Sequence, residues 1–177
     1  TVRFSTTDAG AGVKIPADYT FTAEDKGVHQ FADGVKLVTA GPQTLTVTDT
    51  ATAGITVQQP VTIVPAAGTT LTLTGLAEQL IAGTAASVTL TVRDAVGNTA
   101  TGYQGTVRFS TTDAGAGVKI PADYTFTAED KGVHQFADGV KLMTAGPQTV
   151  AVTDTATTTI TAQQLVMVAP AADTTLA

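Results

Sequence analysis

Cysteine and tryptophan are both missing from the 177 residues. Without cysteine there is no disulfide framework and no thiolate metal site. Charge is also scarce. Only 14% of residues are charged, against roughly a quarter in ordinary globular proteins. The nine Lys and Arg stand singly in a chain of net charge −6, which excludes the basic stripe that a nucleic-acid partner requires. No apolar run approaches the ~18 residues of a membrane-spanning helix, and the longest, 165–172, contains a proline, so membrane insertion is not expected. Helical spacing with caps is sustained nowhere. Glu78 to Ala86 is the sole candidate, and Gly83 interrupts it. The chain opens at Thr1 directly in strand-like sequence, so any secretion signal is expected outside this stretch.

What is abundant is threonine, at 37 residues, and alanine, at 29. Threonine is β-branched and favours strands. The hydrophobic fraction of 43% supplies a core, and together with the low net charge it argues against disorder. The sequence also repeats. Thr1-Val2-Arg3-Phe4-Ser5-Thr6-Thr7-Asp8 returns as Thr106 to Asp113, and the offset of 105 residues holds without a gap to the end. Of the 72 aligned positions, 60 are identical, and within the first 44 the sole change is Val38 against Met143. A period of this length matches a small domain rather than a helical solenoid unit. The chain therefore reads as a slice of a tandem array: 1–67 is the C-terminal part of one repeat, with about five strands; 68–170 is a complete repeat; and 171–177 starts the next.

Period-2 alternation dominates the unit. It marks about seven strands, near 69–74, 87–92, 106–110, 124–127, 133–143, 149–153 and 159–168, with Gly- and Asp-rich turns between them. Seven short antiparallel strands in about 100 residues predict a β-sandwich. The inward set is Leu71, Leu73, Val88, Leu90, Val92, Val107, Phe109, Phe126, Phe136, Val140, Leu142, Val150, Val152, Ile160 and Val168.

The run from Ala82 through Ser87-Val88-Thr89-Leu90-Thr91-Val92-Arg93-Asp94 to Asn98, followed by Thr101 to Val107, resembles the immunoglobulin-like repeats of large bacterial secreted and cell-surface proteins. So does Thr144-Ala145-Gly146-Pro147 through Asp154. The resemblance covers the 105-residue unit. It implies an all-β fold of tandem immunoglobulin-like antiparallel β-sandwich repeats, in an extracellular or bacterial cell-surface protein of adhesin or stalk type.

No catalytic constellation is read. Ser5, Ser87 and Ser110 are the only serines, and none lies in a nucleophile elbow. His29 and His134, one per copy, read as rim histidines. Lys14 and Lys119, in Val-Lys-Ile-Pro, are weighed as isopeptide donors, but the one asparagine, Asn98, lies in a turn. Threonine columns such as Thr70-Thr72-Thr74 read as outward strand residues rather than an ice-binding face, because sandwich sheets twist. Asp and Asn gather at turns, where capping accounts for them. The remaining candidate is calcium at turns or junctions, through Asp94, Asn98, Asp130 and Asp173. Asp173 stands where the other copy has Gly68, which argues against a site common to all junctions. No other cofactor is implied.

Two functions follow. The first is a structural, non-catalytic extracellular module, forming a stiff rod or fibre through its short Pro-Ala-Ala linkers at 65–67 and 170–172. Its partners are neighbouring repeats or other copies of itself, with strand donation to 1–67 as a route to completing that half-repeat. The second is a carbohydrate- or polymer-binding accessory module of a secreted enzyme, which would use Tyr19, Tyr103 or Tyr124 as stacking platforms.

Overall fold

The computed structural model describes residues 1–171, so Asp173 and most of 171–177 lie outside the described residues. The chain divides into two units, Thr1–Pro65 and Ala66–Ala177. Every regular element among the described residues is a strand.

In the first unit β1 (Val2–Thr6), β2 (Gly41–Asp49) and β3 (Thr56–Ile63) form one antiparallel sheet in the order β1-β2-β3. Between β1 and β2 the chain makes only isolated bridges, Val2 with Tyr19 and Lys14 with Lys36. The described residues of the second unit form eight strands: β4 (Thr70–Thr74), β5 (Gln79–Ile81), β6 (Ala85–Arg93), β7 (Thr106–Thr111), β8 (Tyr124–Thr125), β9 (Val133–Lys141), β10 (Gly146–Asp154) and β11 (Thr161–Ala169). They form two sheets, β4-β6-β9 and β5-β11-β10-β7-β8.

The inward residues of the two sheets meet in one core. Val88, Leu90 and Val92 of β6 alternate with half-buried neighbours, and Val107, Val150, Val152, Val166 and Val168 approach from the facing sheet. Phe126 and Leu142 are buried in the same core. Thirteen of the fifteen residues expected inside are buried. Leu73 and Phe136 are half-buried against the core, while Leu76, Ala100 and Val166 join it unannounced. No buried side-chain nitrogen or oxygen among the described residues lacks a hydrogen-bond partner.

Two expectations are corrected. First, residues 78–86, with the only trace of helical spacing, form β5 and the start of β6. β5 pairs parallel to β11, through Met167 with Gln79 and Ala169 with Ile81, so the sandwich is not wholly antiparallel. The chain leaves β4 at Gly75, with φ of 100°, where an added Cβ would lie 2.7 Å from the Ser87 carbonyl oxygen. Only glycine makes this crossing, and it carries the chain to the β11 edge, whose backbone would otherwise be unpaired.

Second, 1–67 was expected to hold about five strands, and three form. In the second unit β9 is held by β6, with Phe136 opposite Val88 and His134 opposite Leu90. Residues 28–36 are identical in sequence to β9 but face no such strand, and no strand forms there. The packing differs accordingly. Phe21 is 40% exposed where Phe126 is 1%, Val35 is 42% where Val140 is 0%, and Ile55 is 65% where Ile160 is 9%.

Equal sequence in unequal surroundings gives a paired test. Phe126→Ala should destabilise the second unit by about 3–5 kcal/mol, as a large core truncation does. Phe21→Ala should cost the first unit less than about 1 kcal/mol, as an exposed truncation does. Native-state hydrogen exchange on the whole chain, read unit by unit, measures both. Equal costs would contradict the structure.

Candidate functional site

The polar residues of the second unit gather into four carboxylate-centred knots. Asp113 follows β7. Its Oδ1 accepts from the Gly115 amide at 2.8 Å and the Thr144 hydroxyl at 2.6 Å. Its Oδ2 accepts from the Met143 and Thr144 amides at 2.6 and 2.9 Å. The knot thus ties the end of β7 to the loop that enters β10. Burial pushes this carboxyl up, but the donors outweigh it and hold its pKa at about 2. Asp8 makes the same bonds to Gly10, Val38 and Thr39 in the first unit.

Asp130 organises the turn into β9. It accepts from the Thr127 amide at 2.7 Å and hydroxyl at 2.9 Å, and from the Tyr124 phenol at 3.0 and 3.1 Å. His134 Nδ1 lies 2.7 Å away. The Thr127 amide first, then His134, the Thr127 hydroxyl and Tyr124, hold its pKa at about 2 against burial. The His134 ring stacks on Tyr124 with centroids 3.8 Å apart. Lys131 and Gly132 both take positive φ, and the Val133 amide donates to the Asp130 carbonyl at 2.9 Å, as in the turns that suit strand twist. An added Cβ at Gly132 would lie 2.6 Å from the Ala100 carbonyl oxygen. Tyr19, Asp25 and His29 repeat the cluster in the first unit. A tyrosine, an aspartate and a histidine weighed separately in sequence are therefore one unit. The matching spacings 19–25–29 and 124–130–134 were the available signal.

This cluster resembles an acid–base pair only in residue type. Nucleophilic catalysis needs a nucleophile on the histidine side away from the acid. Here the Thr127 hydroxyl and the Tyr124 phenol both donate to the aspartate itself. The arrangement clamps a turn.

Of the calcium candidates, Asp94 accepts from the Ala66, Val96 and Asn98 amides and from Asn98 Nδ2, at 2.9–3.1 Å. Asp130 is engaged as described. Among the described residues no three His, Cys, Asp or Glu side chains gather where one ion could be held. Lys119 Nζ donates to the Asp138 carbonyl at 3.0 Å and Lys14 Nζ to that of Asp33 at 2.9 Å, whereas Asn98 is held at Asp94. The structure therefore does not bring lysine and asparagine together. The tyrosines are not open platforms either. Tyr103 donates to Asp154 in a short hydrogen bond and sets its ring edge against Phe126. Burial, then Asp154, pushes its phenol well up. Tyr124 packs edge-on against Phe126 and Phe136.

Two hollows complete the picture. One of about 200 Å³ in the second unit is lined by Arg108, Ser110, Thr153, Asp154, Thr155 and Thr158. The other, about 340 Å³ in the first unit, is lined by Val2, Phe21, Val47, Ile55 and Val57 together with Asp49 and Thr56.

The carboxylate knots make acid the selective denaturant. A carboxyl whose folded pKa lies below its unfolded value of about 3.9 stabilises the fold above that pH and loses its contribution as pH falls through the folded pKa. Unfolding free energy of the second unit should be level from pH 7 to about 5 and fall between about 4 and 2. Asp113→Asn should lower the denaturant midpoint at pH 7 and flatten that slope, because its amide cannot accept four donors. Calcium in millimolar excess over chelator should move the melting temperature by less than about 1 °C, because binding at Asp94 or Asp130 would displace existing donors.

No family model matches the chain, and no curated protein matches it. Among solved structures it is similar to Yersinia pseudotuberculosis InvD, at 21% identity over 100% of this chain and 49% of that one, with a TM-score of 0.43. It is similar to the Escherichia coli adhesin FdeC, at 19% identity, 95% and 53% coverage and a TM-score of 0.42. It is also similar to Bacteroides uniformis β-glucuronidase 3, at 14% identity, 74% and 17% coverage and a TM-score of 0.45. The chain spans about half the length of the first two and about a sixth of the third. At this distance the similarities carry neither activity nor partner to this chain.

Proposed function

We propose that this chain is a structural, non-catalytic module of an extracellular or cell-surface protein, a piece of a tandem immunoglobulin-like array that forms a rod or fibre. The observation that carries the reading is a sequence repeated at 60 of 72 positions in which the polar clusters serve turns. Chemistry that depended on one unique pocket would not need near-identical copies. The sheet order β4-β6-β9 against β5-β11-β10-β7-β8, with a first strand split between sheets, supports the immunoglobulin-like assignment. In this reading 1–67 and 68–170 are successive repeats and 171–177 begins a third. The Pro-Ala-Ala segments at 65–67 and 170–172 are short, semi-rigid joints. The second reading, a carbohydrate-binding accessory module, has no support from the tyrosines, whose rings and hydroxyls are engaged internally.

Small-angle scattering on chains of two, four and six 105-residue units tests the rod. Strands of nine residues such as β10 are about 30 Å long. The maximum dimension should therefore grow by a constant increment of about 30–40 Å per unit. Growth with the square root of unit number, as a flexibly linked string gives, would overturn the rod. Antibodies to residues 66–171 should label intact cells of the source organism. Labelling only after lysis would overturn the surface location.

A further inference from the structure

The first unit carries an apolar face without a cover, and the second unit shows what covers the same face. Phe126, Val140 and Ile160 are buried in a core closed by β4 and β6. Their counterparts Phe21, Val35 and Ile55 are exposed, and Val28 is 78% exposed where Val133, at the end of β9, is 40%. The backbone of 28–36 lacks the strand that β6 supplies to β9. The hollow of about 340 Å³ lies on this face.

The edge of the hollow carries a second, polar signature. Asp154 accepts the Ala156 and Thr157 amides on Oδ1 and the Tyr103 phenol on Oδ2. Asp49 accepts the Ala51 and Thr52 amides on Oδ1 in the same way. Its Oδ2 faces the Thr1 amino group at 3.8 Å instead of a phenol. The first strand of each copy is held alike, since the Thr50 amide donates to the Thr1 carbonyl as the Thr155 amide donates to that of Thr106.

We infer that residues 1–65 form an acceptor for one occupant, a segment of the 66–105 sequence type joined ahead of Thr1. In that complex a β6-type strand lies along 28–36, its Val-x-Leu-x-Val face fills the hollow, and its tyrosine donates to Asp49 Oδ2. The segment 66–105 of this chain is not that occupant, because it already closes its own unit. A second copy would have to open its own sandwich to donate, exposing as much apolar surface as it covers. The inference stands on the face itself, independently of cellular location or rod stiffness, so the scattering and labelling experiments can fail while it holds.

The test grafts residues 66–105 ahead of Thr1 of the full chain and follows amide exchange by residue. The ungrafted chain should exchange rapidly over 28–36 while 133–141 is protected. The graft should slow exchange over 28–36 at least 100-fold and bring it near that of 133–141. A second graft carrying Val88→Asp, Leu90→Asp and Val92→Asp in the grafted copy alone should give no slowing. Unchanged amide spectra for 66–171 in each protein show that the remainder is folded. Failure of the intact graft to protect 28–36, or protection equal to 133–141 in the ungrafted chain as a monomer, would overturn the assignment. So would protection that appears in the ungrafted chain only with concentration-dependent dimerisation, since a second copy would then be the occupant.

Discussion

One strand decides whether this sequence makes a core. β6 pairs with β4 on one side and β9 on the other, and its Val88, Leu90 and Val92 are fully buried. A sheet pair needs apolar faces on both layers, and removing one layer leaves the other wetted. The first unit is that removal carried out on nearly identical sequence. Its β1, β2 and β3 persist because they pair with one another. The stretch that β6 would hold does not become a strand, although every residue of 28–36 recurs in β9. Strand propensity is therefore insufficient here, and tertiary pairing creates the element.

The sequence made much of this legible. Alternation along Ser87–Val92 and Thr149–Thr153 correctly placed buried and exposed faces, because a sandwich strand has one dry side. The turns carried Asp and Gly where the structure has knots and left-handed residues. Other features were hidden. β5 has three residues and no alternation to read, and its pairing depends on an edge supplied by β11, more than eighty residues away. The shortage of strands in the first unit was masked because its local sequence is as strand-like as its copy. The Tyr124–Asp130–His134 cluster was hidden for a different reason. Each residue has an ordinary explanation alone, and the joint one requires knowing that the turn folds the tyrosine over the histidine ring.

The absence of cysteine is met by two substitutes. Apolar β6 contacts close the layers, and carboxylate knots fasten loops to strand ends. Asp113 ties residues thirty positions apart and Asp154 ties Tyr103 across fifty-one. These are cross-links in the sense that they limit how far the loops can move. They form without an oxidant, which a cysteine-free chain requires wherever it works.

The chemistry of those knots also governs how the protein meets salt. Asp94 and Asp113 are satisfied by neutral amides and hydroxyls rather than by lysine or arginine. Ionic screening weakens attraction between separated opposite charges, and it has little hold on a short hydrogen bond to a neutral donor. The fastenings that salt does weaken are the exposed bidentate pairs, Arg3 with Asp18 and Arg108 with Asp123. The knots at Asp94 and Asp113 therefore keep their donors as the surrounding salt changes, from dilute medium to brine.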